Sequence, residues 1–128
     1  MMRFIIVMVL TAIATWLTMM VMPWWVAMPV AFCLVLIFPM KHWQSFLATG
    51  LGAAMAFLLL CFMADQANEH ILSSRMATLF QLPSYTLMQV LTALVGGITA
   101  GLGGWTASAL CKMLRPRPSA KDAPMPTK

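Results

Sequence analysis

The chain has 128 residues, of which 62% are hydrophobic and 9% charged, with a mean hydropathy of +0.88 and a net charge of +5. A soluble domain carries about 25% charged residues, so these charges cannot coat a globule of this size, and lipid is the solvent that suits the remainder. The basic residues gather at the N-terminus, in one short loop and in the tail, which excludes the continuous basic face that nucleic-acid binding needs; the length allows one compact bundle.

The first predicted element is an apolar run over 4–22, preceded by Arg3. At 1.5 Å per residue it reaches about 28 Å, close to the thickness of a bilayer's hydrocarbon core. It is too long for the apolar part of a signal peptide, and no A-x-A site follows closely. It reads as an uncleaved first transmembrane helix. Thr11, Thr15 and Thr18 share one face of it; such hydroxyls bond their own helix carbonyls or a neighbouring helix.

Pro23 ends that helix, and Trp24 and Trp25 suit the headgroup level. A second span is expected over 24–40, with Pro29 in its first turns, where a missing N–H matters little. Lys41, His42 and Trp43 form a basic turn with another interfacial indole. The third span is expected over 43–64. Ala48, Gly52 and Ala56 recur along it every four residues, with Gly50 and Ala53 beside them. That spacing makes a face of small residues.

The segment 65–84 is the one polar stretch between spans. Leu72, Met76, Leu79 and Phe80 have helical spacing in it, and Pro83 closes it. It reads as an amphipathic helix on the outer membrane surface. The fourth span, 85–113, carries five of the seven glycines. On a helical wheel, Ala93, Gly96, Gly97, Ala100, Gly101, Gly103, Gly104 and Ser108 fall within an arc of roughly 160°. Leu91, Leu94, Val95, Ile98, Leu102 and Trp105 fill the other side. Between lipid-embedded helices the apolar effect gives no net attraction, and small residues favour association by letting backbones pack closely. The glycine face of the last span and the face holding Ala48, Gly52 and Ala56 are therefore expected to pair. Homo-oligomer contact through the last helix is the alternative. From Leu114 onward the chain is Pro-rich and basic, with no apolar face to bury, and a disordered tail is expected over 114–128.

Charge tests the topology. Four spans put Arg3, Lys41, Lys112, Arg115, Arg117, Lys121 and Lys128 on one side and Arg75 alone on the other. Basic residues stay cytoplasmic during insertion, so both termini are expected inside. The fold class is thus all-α: a polytopic bundle of four transmembrane helices plus one outer-surface amphipathic helix.

No ionisable residue falls within 4–22, 24–40, 43–64 or the body of the last span. A mid-membrane charge usually marks an ion or proton path; small proton-coupled multidrug exporters of this size need an intramembrane glutamate that this chain lacks. Cys33, Cys61 and Cys111 show no metal-ligand spacing, and the methionines are scattered. Asp65, Asn68, Glu69, His70 and Arg75 make the best candidate site, as partner or ion contacts. On one continuous helix Asp65 and Glu69 share a face, Glu69 and His70 point about 100° apart, and Glu69 is within reach of Arg75. No catalytic motif accompanies them.

Pro23-Trp24-Trp25, the segment Asn68–Phe80 and the closing helix Leu94–Ser108 together resemble small bacterial inner-membrane proteins without an assigned activity. The resemblance implies four helices and no functional residue. The expected function is that of a non-catalytic accessory or assembly subunit, acting through helix packing on the bilayer and on a membrane-protein partner or a second copy, with no cofactor, no metal and no nucleic acid. A small homo-oligomeric channel or solute carrier, lined by Thr11, Thr15, Thr18, Thr92, Thr99 and Thr106, is the alternative.

Overall fold

The structure is a computed structural model that describes residues 1–114. The tail expected to be disordered begins at Leu114, the last residue of a helix; the rest of it lies outside the described residues. All regular structure among the described residues is helical: α1 Met2–Met19, a 3₁₀ turn Trp24–Val26, α2 Ala27–Ile37, α3 His42–Ala67, α4 Ile71–Leu79 and α5 Tyr85–Leu114. Three helices, α1, α3 and α5, are long and apolar enough to cross a membrane.

The expected second span is shorter than 24–40. Its helical part, 3₁₀ turn included, is Trp24–Ile37. Prolines set both ends. Pro23 has an extended backbone (φ −62°, ψ 158°). Phe38 leaves the helix (φ −118°, ψ 75°) because a residue before proline avoids the α region. Pro29 sits in the first turn of α2, where its missing N–H breaks no helical bond.

One cavity records how the chain runs. Residues from the start of α1 (Met1, Arg3, Phe4), the turn before α3 (Pro39, Lys41, His42) and the end of α5 (Ser108, Lys112) all line it. The chain leaves this end along α1 and is back at it by Pro39. The segment 20–38 therefore retraces the length of α1, although its helix is short. α3 then runs away from this end and α5 returns to it.

The longest seam joins α3 to α5; α1 lies on α3, and α2 on α5. Apart from Phe57, the residues buried along it are small. Ala53 and Phe57 of α3 pack with Ala93 and Ala100 of α5 and with Ala27 and Ala31 of α2. A second cluster joins Val7, Val35, Ala48 and Ala107. The larger apolar side chains face outward: Leu91, Leu94, Val95, Ile98, Leu102 and Trp105 are all exposed. Small inside and large outside inverts the pattern of a soluble core and suits helices packed backbone to backbone in lipid.

The glycines show how close the backbones come. A methyl group on Gly97 would lie 2.9 Å from the Gly50 carbonyl oxygen and 3.0 Å from Ala54 Cβ. One on Gly101 would meet the Phe46 ring, and one on Gly96 the Phe57 ring. Gly104 lies against Thr49 and the Ser45 carbonyl. Two glycines face other partners. A methyl group on Gly103 would lie 2.6 Å from the Met28 carbonyl oxygen of α2. Gly52, expected against α5, instead backs onto Met8, Thr11 and Ala12 of α1. α3 is sandwiched between α1 and α5, so it carries small residues on two sides. The wheel merged them into one face.

Candidate functional site

The expected outer helix over 65–84 is interrupted. Asp65 belongs to the last turn of α3, which ends at Ala67. Glu69 (φ 50°) and His70 (φ 60°) then adopt the left-handed region, which costs an L-residue about 1–2 kcal/mol. The helix resumes at Ile71. This break overturns the face-sharing expected of a continuous helix. Glu69 is turned out and exposed, and among the described residues it forms no ion pair with Arg75. His70 is turned back onto Asp65.

What holds the strained turn is a buried carboxylate. The Asp65 side chain is only 2% exposed. Its Oδ2 accepts from His70 Nδ1 at 2.6 Å and from Gln89 Nε2 at 2.8 Å. Its Oδ1 accepts from Ser73 Oγ. The backbone joins in: the Asp65 carbonyl accepts from His70 N at 3.1 Å. One side chain thus ties the end of α3 to the turn, to α4 and to α5. The Tyr85 ring lies 5.1 Å from the His70 ring and covers it on the α5 side. Burying a carboxylate is costly unless it is paired and hydrogen-bonded. Three donors meet that demand and favour its charged form.

α4 hangs from this knot in an unusual orientation. Its inward residues are Ser73 and Ala77, while Leu72, Met76, Leu79 and the following Phe80 are exposed. The polar contact is made toward the bundle and the apolar side is left outside it.

The arrangement limits the chemistry. Ser73 and His70 both donate to the same carboxylate, so neither activates the other as a nucleophile and its base would. Among the described residues no group of three or more His, Cys, Asp or Glu could hold a metal ion. The sequence reading brought Asp65 and His70 to the site. It missed Ser73 and Gln89, and of these Gln89 was detectable: an amide in an apolar helix needs a partner. Asn68, Glu69 and Arg75 stay on the exposed rim.

The threonines divide. Thr11 and Thr15 are buried between α1 and its neighbours, while Thr106 is exposed on the outside of α5 and Thr92 and Thr99 are partly so. Thr11, Thr18, Thr92, Thr99 and Thr106 all donate to carbonyls of their own helices. Within one protomer they line no common path.

At the opposite end, His42 Nδ1 lies 2.7 Å from Ser108 Oγ. Ser108 has one hydroxyl proton, which it gives to the Trp105 carbonyl at 2.8 Å, so His42 is the donor of that pair. This bond ties the first residue of α3 to the last turns of α5.

Fold and site together define a small all-helical protein with three candidate membrane-spanning helices and a buried-carboxylate knot at one end. No family model, curated protein or solved structure matches the chain.

Proposed function

We propose that the chain is a four-span protein of a bacterial inner membrane, with both termini cytoplasmic, and that it is a non-catalytic accessory or assembly subunit. The observation that carries the second part is the Asp65 knot. Its carboxylate is committed to three side chains of its own chain, and what it fixes is the turn with Asn68 and Glu69 and the α4 that carries Arg75, all three exposed. A turn held in a strained conformation by a buried charge is a preorganised surface, which lowers the ordering cost of meeting a partner.

Two observations support the four crossings. The segment between α1 and α3 returns to the end at which α1 begins, and Arg3, Lys41 and Lys112 meet there, with Arg75 at the other end. That distribution agrees with the retention of basic residues in the cytoplasm. Proline-bounded α2 is short for a full hydrocarbon core, and local thinning or flanking indoles accommodate such a mismatch. The outward apolar residues of α4 suit a helix lying in the headgroup region.

The test is a photo-crosslinker placed at position 69 in cells, followed by extraction in a mild detergent and mass spectrometry. The expected result is one dominant membrane-protein adduct that Asp65→Ala abolishes. A lone uncrosslinked protomer, or equal yields with and without Asp65, contradicts the accessory role.

A further inference from the structure

At the end remote from Asp65, the cavity between the start of α1, the start of α3 and the end of α5 has a volume of about 1430 Å³. That exceeds the 300–1,000 Å³ of ordinary small-molecule sites. Three fixed cations line it: Arg3, Lys41 and Lys112. Among the described residues no carboxylate does; Asp65 and Glu69 are at the other end. Like charges gathered in one hollow repel, and an anion relieves them.

The backbone adds to this. The first helical bond of α1 is Ile5 N to the Met1 carbonyl, and that of α3 is Ser45 N to the Lys41 carbonyl. The amides of 2–4 and 42–44 precede those bonds and have no intrahelical acceptor. Among the described residues neither helix has a side-chain cap. All six of these residues line the cavity. Two uncapped helix N-termini and three cations therefore converge on one space, and each N-terminus carries about half a positive charge. The C-terminal end of α5 opposes them, and Lys112 in its last turn offsets that. Apart from the polar His42, Gln44 and Ser108, the other walls are mostly apolar, with Phe4, Met40 and Trp43 among them. The His42–Ser108 bond fixes two of the walls relative to each other.

From this geometry we infer that the cavity is a binding site for a phosphate-bearing amphiphile, an anionic glycerophospholipid whose headgroup meets the cations and amides and whose chains follow the apolar walls. The inference rests on the proposed membrane insertion, with this end at a bilayer surface. A soluble phosphate monoester shares the headgroup chemistry but has nothing to place on Phe4 or Trp43.

The test uses the purified full chain in detergent, titrated with phosphatidylglycerol, phosphatidylcholine or glycerol 3-phosphate and read by native mass spectrometry. One phosphatidylglycerol is expected to bind at least tenfold more tightly than phosphatidylcholine. Each of Lys41→Gln and Lys112→Gln should weaken it about fivefold. Arg75→Gln, at the far end, should leave it unchanged. Circular dichroism of each variant checks folding, and a variant that unfolds is replaced by Ser108→Ala, which loosens the wall without removing charge and should weaken binding. Equal binding of the two lipids, or an equal loss from Arg75→Gln, overturns the site. Glycerol 3-phosphate binding as tightly as the lipid overturns the lipid assignment. Membrane insertion is read separately, by whether the protein stays with membranes after alkaline washing, so loss of one conclusion is distinguishable from loss of the other.

Discussion

Gly97 offers the sharpest test of the α3–α5 seam. Its α-carbon faces the Gly50 carbonyl and Ala54, and an added methyl would sit 2.9 Å and 3.0 Å from them. Apolar carbons are at ease about 3.5–4.0 Å apart, so the helices must part by on the order of 0.5 Å. Neither neighbour can swing away, since one is backbone and the other a methyl group. Overpacking of this kind costs about 1–3 kcal/mol, against which alanine returns about 1 kcal/mol of helix propensity. Gly97→Ala should therefore destabilise by about 1 kcal/mol. Gly97→Leu has a similar propensity but far more volume, and should cost more than about 3 kcal/mol. Ile98→Leu, one residue along and facing outward, should be neutral. The assay is reversible unfolding of the detergent-solubilised protein by increasing fractions of a denaturing detergent, followed by circular dichroism. Gly97→Leu as stable as Ile98→Leu would refute the seam.

Asp65→Ala leaves Gln89 buried without its partner and releases α4; it should cost about 2–4 kcal/mol and speed tryptic cleavage after Arg75, whereas unchanged cleavage would mean the carboxylate does not hold that segment. Glu69→Gly removes a side chain from a left-handed position (φ 50°) and should raise stability by about 0.5–1 kcal/mol, read as a higher unfolding midpoint; a lower midpoint would show that the turn is not strained as described. Thr15 Oγ1 is buried with no hydrogen-bond partner among the described residues, so Thr15→Val should be neutral or stabilising by up to about 1 kcal/mol, and a marked loss of stability would contradict that reading.

Much of the fold was legible because lipid demands a simple code. Apolar length marked α1, α3 and α5, and prolines marked the breaks between them. The glycine arc of α5 sets Gly97 and Gly101 apart from Leu94 and Ile98, and in the structure the first two are buried and the last two exposed. What the wheel could not supply was the partner of each face. Gly52 and Gly50 lie two residues apart on α3 and serve different neighbours, which depends on how three helices are arranged in space. The candidate site was half legible. Asp65 and His70 stood out as titratable groups, but a continuous-helix reading of 65–84 paired the wrong side chains. No glycine marks the left-handed turn at Glu69 and His70; it is imposed by the hydrogen bonds to Asp65, which are tertiary. Gln89 is 24 residues from Asp65, and Ser73 and Gln89 become its partners only once α4 and α5 fold back.

The central claim is that the end carrying Arg3, Lys41 and Lys112 and the end carrying the Asp65 knot lie on opposite sides of a bilayer. Single cysteines at 41 and 75, in a chain with Cys33, Cys61 and Cys111 replaced by serine, can be challenged in intact cells with a thiol reagent that cannot cross the inner membrane. Position 75 should be labelled from outside and position 41 only after the membrane is opened; labelling of both from the same side would contradict it.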